Sequence, residues 1–163
     1  MGELGVEISS PTSARLEFAT CARDKGVEVF FVTNRAHEME PATRDNLDRL
    51  GFPLNHVRDT VLTKNEKPHW GFDKTSRRQF VARAFRILLI VGNEVNDFVS
   101  EANAAPEDRI KIAGTYRSYW GEKWFLLPNP LYGSWQEALY GFDRGLSKAD
   151  KLRKKYEWLK VVH

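Results

Sequence analysis

Apolar positions along the chain fall into short runs that alternate with stretches of helical spacing. Ala14, Phe18 and Ala22 recur every four residues, which predicts a helix from Pro11 to Lys25 with those three facing inward and Gly26 as its stop. Glu28-Val29-Phe30-Phe31-Val32 follows as a strand ending at Thr33-Asn34-Arg35. So short an apolar run fits a parallel strand covered on both faces. A helix through Asn46, Leu47 and Leu50 comes next, with Pro41 near its start and Gly51 past its end. Val57 to Thr63 reads as a short strand, and Lys64 to Phe72, with Pro68 and Gly71, as a loop. Asp73 is placed to cap a helix from Lys74 to about Phe85 whose inner face is Phe80, Val81, Ala84 and Phe85.

Arg86-Ile87-Leu88-Leu89-Ile90-Val91 is the clearest strand, ending at Gly92-Asn93. Pro106 opens a helix to about Tyr119, and Lys123 to Leu127 is a further short strand stopped by Pro128. Ser134 with Glu137, and Ser147 with Asp150, look like capping boxes for the last two helices. Strands alternating with helices predict an α/β fold with a parallel sheet.

The 163 residues, 42% hydrophobic and 29% charged, suffice for one globular domain with its own core, so the whole chain, 1–163, is read as a single domain. A net charge of +3, spread along the chain, does not define a nucleic-acid face. The denser run Lys148, Lys151, Arg153, Lys154, Lys155 reads as a solvated helix face, with an anion-binding tail as the alternative. Cys21 is the only cysteine, which excludes an intrachain disulfide and a cysteine zinc site; it is expected to be a small core residue. No run of 18 apolar residues marks a membrane span, and Met1 to Gly5 lacks the pattern of a signal peptide, so the sequence as written reads as cytoplasmic.

In open α/β sheets the ligand site lies beyond the carboxyl ends of the strands. Here those ends carry Thr33, Asn34 and Arg35 on one strand, and Asn93, Glu94, Asn96 and Asp97 on another; a helix between them begins with Lys74, Arg77 and Arg78. A hydroxyl and a lysine at a helix N-terminus suit phosphate oxygens, and oxygen ligands suit Mg²⁺. The same residues also read as ordinary polar loop tips.

Four segments carry a resemblance. Phe31-Val32-Thr33-Asn34-Arg35, Lys74 in Lys74-Thr75-Ser76-Arg77-Arg78, Val91-Gly92-Asn93-Glu94-Val95-Asn96-Asp97-Phe98, and Leu127 to Trp135 with its Pro-Asn-x-x-Tyr-Gly-x-Trp pattern come in the order found in class C acid phosphatases. These are the outer-membrane lipoprotein branch of the haloacid dehalogenase superfamily, many known as 5′-nucleotidases. The chain resembles them over about residues 11–160. The resemblance implies a three-layer parallel sheet with helices on both faces. It implies Mg²⁺-dependent hydrolysis of a small phosphate ester or nucleoside monophosphate, in proteins that are periplasmic or outer-membrane lipoproteins. It assigns Thr33 and Lys74 to the transferring phosphoryl group, and Asn34, Arg35 and Arg78 to the substrate side. Asn93 and Asp97 fall at the metal, and Tyr132 against a nucleotide base. Tyr132, Trp124 and Trp135 read equally as packing residues.

The family's first motif, Asp-x-Asp, supplies the nucleophile and the general acid-base on the central strand, between the strands of the second and fourth motifs. No Asp-x-Asp occurs in this chain, and only Asp24 precedes Thr33. Leu4 to Ile8 is a short substitute for that strand. Asn93 stands where the family has a metal-ligating aspartate, so Mg²⁺ affinity is expected to fall; Glu94, one residue off, is a candidate replacement. The sequence thus leaves three readings: a phosphatase domain inactive as written and missing its N-terminal strand, a phosphate- or nucleotide-binding pseudophosphatase, and a structural fragment of a truncated gene.

Overall fold

The computed structural model describes residues 11–100, 102–129 and 133–159. Leu4 to Ile8 and Tyr132 lie outside the described residues. The chain divides into two compact units, Met1–Phe72 and Asp73–His163.

The first unit runs α1 (Pro11–Asp24), β1 (Phe31–Ala36), a 3₁₀ turn at His37–Met39, α2 (Glu40–Arg49) and β2 (Val61–Lys64). β1 and β2 pair in parallel. Val61, Leu62 and Thr63 of β2 are buried, as a strand covered on both faces must be. Phe31 packs edge-on against Phe52 with centroids 5.8 Å apart. The inner face of α1 differs from the expected one. Ala19 is buried and Leu16 half-buried, whereas Ala14 and Phe18 are exposed. Each helical residue turns the side chain by about 100°, so Cys21, two positions from Ala19, falls on the far side and is exposed rather than in the core.

β1 also departs from expectation. It begins at Phe31 and runs through Thr33-Asn34-Arg35 instead of ending before them. Phe31 pairs with Val61, Val32 with Leu62 and Ala36 with Lys64, so three residues on β1 stand against Thr63 alone on β2. The bulge breaks the ladder at the residues expected to carry chemistry, and bulges re-aim side chains in this way. β2 is likewise shorter than read: Val57 is fully exposed, and pairing starts at Val61.

The second unit runs α3 (Thr75–Ala82), β3 (Ile90–Gly92), a 3₁₀ turn at Val95–Asp97, α4 (Pro106–Thr115), β4 (Trp124–Leu126), α5 (Ser134–Ala138) and α6 (Lys148–Glu157). β3 and β4 pair in parallel, with Ile90 opposite Trp124 and Gly92 opposite Leu126. Its core is Phe98, Val99 and Ala102, covered by Ile90, Val95, Ile112, Trp120 and Trp124. Phe98 packs against Trp120 and Trp124 at 4.9 and 5.6 Å, and Trp120 Nε1 donates to Ala113 O.

The apolar run from Arg86 is longer than its ladder, because β4 offers only three residues to pair with. Ile87, Leu88 and Leu89 remain exposed. On α3 the buried positions are Arg77 and Val81, one turn apart, while Phe80 is exposed, and Ala84, expected on the inner face, lies past the helix end and is exposed too. The strands form two separate parallel pairs, and among the described residues no ladder joins β1 to β3. The expected single sheet requires a strand between those two, which in the resemblance is the Asp-x-Asp strand. No helix among the described residues is long and apolar enough to cross a membrane.

Candidate functional site

In the second unit the site residues gather where β3 ends. Gly92 leads directly into a loop that turns back over it. A Cβ at Gly92 would stand 2.5 Å from Asp97 Cβ, so only glycine lets Asp97 fold onto the strand end. Asp97 Oδ2 accepts from the backbone N–H groups of Asn93 and Glu94, at 2.9 and 3.0 Å. Asp97 Oδ1 accepts from Lys74 Nζ at 2.6 Å. The pair is largely buried, with side-chain exposures of 19% for Lys74 and 11% for Asp97.

Lys74 occupies the N-cap of α3, one residue later than the cap read from the sequence. Asp73 still serves the turn, its Oδ1 accepting from Thr75 N at 2.6 Å. Arg78, one turn into α3, donates to the carbonyls of Asp97 and Asn96 and to Thr75 Oγ1. Burial lowers its pKa, opposed by the charges of Asp73 and Asp97. An arginine remains charged under that shift, so Arg78 ties the loop to the helix as a cation.

The donor set at this strand end does not make a Mg²⁺ site by itself. Asp97 is engaged by three N–H donors, and Asn93 contributes a neutral amide. Glu94, the candidate replacement, is committed elsewhere: its two oxygens take Ser134 N and Ser134 Oγ, both at 2.5 Å. Ser134 is the first residue of α5, with Gly133 at the N-cap, so it forms no capping box with Glu137, and its hydroxyl donates to Glu94. Arg109, buried between these groups, donates to Ser134 Oγ at 3.0 Å and to Ala102 O. Burial lowers its pKa, and Glu94 opposes the shift.

In the first unit Thr33, Asn34 and Arg35 occupy the β1 bulge. Thr33 Oγ1 accepts from Arg35 N at 3.2 Å, and Arg35 Nη1 reaches Thr43 Oγ1 at 3.4 Å. The sequence reading missed a cluster nearby. His37, Glu40 and Glu66 bring one ligand-type atom each within 4.8 Å of one another. His37 Nδ1 lies 3.1 Å from Glu40 Oε2 and 3.2 Å from Thr63 Oγ1; Arg44 Nε donates to Glu40 Oε1 at 2.7 Å. Burial raises the Glu66 carboxyl, the hydrogen bond from Thr63 N pulls it down, and the charges of Asp59 and Glu40 add to the rise. The His37-x-x-Glu40 spacing was the only local signal, since Glu66 joins through the turn after β2.

Comparison with known proteins bears on this geometry. The family model described as HAD superfamily, subfamily IIIB (Acid phosphatase) matches residues 7–135. The class C acid phosphatase from Bacillus anthracis has a similar structure, with a TM-score of 0.79 at 29% identity, covering 91% of this chain and 61% of that one. A crystal structure of class C acid phosphatase from the same organism with tungstate bound gives 0.80 at the same identity and coverage. The chain thus spans less than two-thirds of the length of these relatives.

Proposed function

Since this chain belongs to subfamily IIIB of the haloacid dehalogenase superfamily, the acid phosphatases, we propose that it is a phosphatase domain that binds a phosphate monoester and, as written, does not hydrolyse it. The superfamily generally uses Mg²⁺ and acts on phosphate esters. The finer reading concerns this chain: a single domain over 1–163 that binds inorganic phosphate or a nucleoside monophosphate weakly and has little affinity for Mg²⁺.

The observation that carries the reading is Lys74, a largely buried ammonium at the N-cap of α3, held by Asp97 beyond the carboxyl end of β3. A cation and a helix N-terminus together favour a phosphoryl group. Thr33 and Tyr132 are the residues the family pattern assigns to the phosphoryl group and the base, with Asn34 and Arg35 beside Thr33. Asn93 and the engaged Asp97 account for the low Mg²⁺ affinity, and the lack of any Asp-x-Asp for the silent chemistry.

Thermal-shift titration with phosphate and with AMP tests this. Stabilisation of about 2.7 kcal/mol is expected at a hundredfold excess over the dissociation constant. It should shrink as salt rises, since the attraction is largely one of charge. Lys74→Ala should abolish it. No shift at millimolar phosphate or AMP, or a shift indifferent to Lys74→Ala, would leave a structural fragment as the better reading.

A further inference from the structure

The parallel pair β1–β2 stops at the same level on both strands. Ala36, the last residue of β1, stands opposite Lys64, the last of β2, so the turns that follow leave from one edge. After β1 the chain enters a 3₁₀ turn at His37 and then α2, whose first residue is Glu40. Residues three apart eclipse in such a turn, and His37 Nδ1 lies 3.1 Å from Glu40 Oε2. After β2, Asn65 takes φ 64, a left-handed conformation that asparagine tolerates, and the chain reverses. The reversal folds Glu66 back over the strand end, where its Oε2 accepts from Thr63 N at 3.1 Å. Two turns thus bring one ligand-type atom each from His37, Glu40 and Glu66 within 4.8 Å of one another. They meet on the edge of a parallel pair where ligands bind.

Each carboxylate is oriented by a donor outside the cluster. Arg44 Nε donates to Glu40 Oε1 at 2.7 Å, which leaves Oε2 on the His37 side, and Arg44 is itself held by Asp59. Thr63, wholly buried, holds Glu66 through its backbone N–H. Supporting hydrogen bonds of this kind are what fix the ligands of a metal site. The imidazole is not saturated by its neighbours: Glu40 Oε2 and Thr63 Oγ1 both lie within 3.2 Å of Nδ1, which carries at most one hydrogen. Charge points the same way. Burial and then the charges of Asp59 and Glu40 raise the Glu66 pKa, against the Thr63 hydrogen bond and Lys67. A cation at the cluster relieves that repulsion.

We infer that His37, Glu40 and Glu66 form a binding site for a divalent transition-metal cation, with Zn²⁺ the best match, beyond the carboxyl ends of β1 and β2. One imidazole nitrogen and two carboxylates are a mixed N,O set. The imidazole disfavours Mg²⁺ and Ca²⁺, which take oxygen ligands, and the lack of sulfur disfavours Cu(I). With Zn–ligand distances of about 2.0–2.2 Å, neighbouring ligand atoms of a tetrahedral site stand about 3.3–3.6 Å apart. The 3.1 Å between His37 Nδ1 and Glu40 Oε2 is close to that span. Three protein ligands leave the fourth position to water or an anion. The His37 side chain is 51% exposed, so the ion enters from solvent. Once bound, it ties the turn after β1 to the turn after β2. None of its ligands is among the residues that the family pattern assigns to Mg²⁺, Asn93 and Asp97.

Calorimetric titration of the full, tag-free chain with zinc chloride tests the site, after EDTA treatment and dialysis into a non-coordinating buffer. One Zn²⁺ per chain is expected. His37→Gln and Glu66→Gln should each weaken binding at least about tenfold, since loss of a mere supporting residue already costs that much. His56→Ala and His69→Ala should leave it unchanged, and millimolar Mg²⁺ should not displace the ion. Co²⁺ in place of Zn²⁺ should give the visible absorption of a four-coordinate N,O site in wild type and lose it in His37→Gln. His37 is a half-exposed residue, so His37→Gln keeps the test open if Glu66→Gln fails to fold; circular dichroism checks both. No binding at about 100 μM Zn²⁺ would overturn the inference and leave a hydrogen-bonded cluster at the strand ends. Binding that survives His37→Gln, that His56→Ala or His69→Ala removes, or that Mg²⁺ displaces would overturn it as well. Phosphate binding plays no part in any of these outcomes.

Discussion

Lys74 Nζ lies 2.6 Å from Asp97 Oδ1, which joins the first turn of α3 to the loop that follows β3. Two residues 23 positions apart thereby become one ion pair at the end of a strand. The other Asp97 oxygen is held by two backbone N–H groups, so the loop has contacts of its own that do not depend on the lysine.

Removing the lysine should therefore cost less than removing the aspartate. Lys74→Ala leaves Asp97 with two donors, and we expect a loss of about 1–2 kcal/mol in urea unfolding, together with the loss of phosphate binding. Asp97→Asn leaves a largely buried ammonium without its counter-charge and weakens two backbone hydrogen bonds; about 2–4 kcal/mol is expected. A reversed order would mean that the loop is held by Arg78 rather than by Asp97.

Hydrolysis is the second test. With p-nitrophenyl phosphate or AMP as substrate, wild type should release phosphate no faster than Lys74→Ala, with or without Mg²⁺. The warrant is that this sequence carries no Asp-x-Asp; loss of a nucleophile from a catalytic unit costs on the order of a millionfold in a protease. Turnover that disappears with EDTA would mean that another carboxylate has taken over the attack.

Glu66 gives a pH prediction. Its folded-state pKa is raised, chiefly by burial, so the folded protein binds the proton more tightly than the unfolded chain does. Stability from this group is then greatest below the unfolded-state value and falls as pH rises through that value to the raised one. Urea midpoints measured from pH 4 upward should show this decline in wild type and not in Glu66→Gln, which retains an acceptor for Thr63 N. A decline of equal size in both proteins would mean that Glu66 is not the group responsible.

What the sequence made legible was mostly local. Ser147 caps α6 by accepting from Asp150 N at 3.1 Å, as a four-residue pattern can specify. The same pattern misled at Ser134, because the helix starts one residue earlier than read, with Gly133 at the N-cap and Ser134 already its first residue. Family and parallel strand pairing followed from motif order and alternation, but the β1 bulge did not, since it depends on the register of β2 against Thr33-Asn34-Arg35. Lys74 and Asp97 were each legible as site residues, while their pairing was not. Glu94 shows the limit most clearly: sequence offset placed it near a metal, and only the fold reveals that its carboxylate accepts from Ser134 N, Ser134 Oγ and the Asp97 backbone N–H.

Gly92 offers the sharpest test of the strand-end geometry. Its φ lies in a region open to any residue, so Gly92→Ala carries no intrinsic backbone penalty. What forbids the methyl is Asp97, whose Cβ and Oδ2 would both stand 2.5 Å from it. Relief requires the Asp97 side chain to move, and movement breaks the hydrogen bonds from Asn93 N and Glu94 N and the pair with Lys74 together. Overpacking of this kind costs about 1–3 kcal/mol, and the lost polar contacts add to it. Combining Gly92→Ala with Asp97→Ala removes the obstacle, so the two losses should be strongly non-additive, the double variant being scarcely less stable than Asp97→Ala alone. Simple additivity in urea unfolding would show that Asp97 does not close over Gly92 in solution.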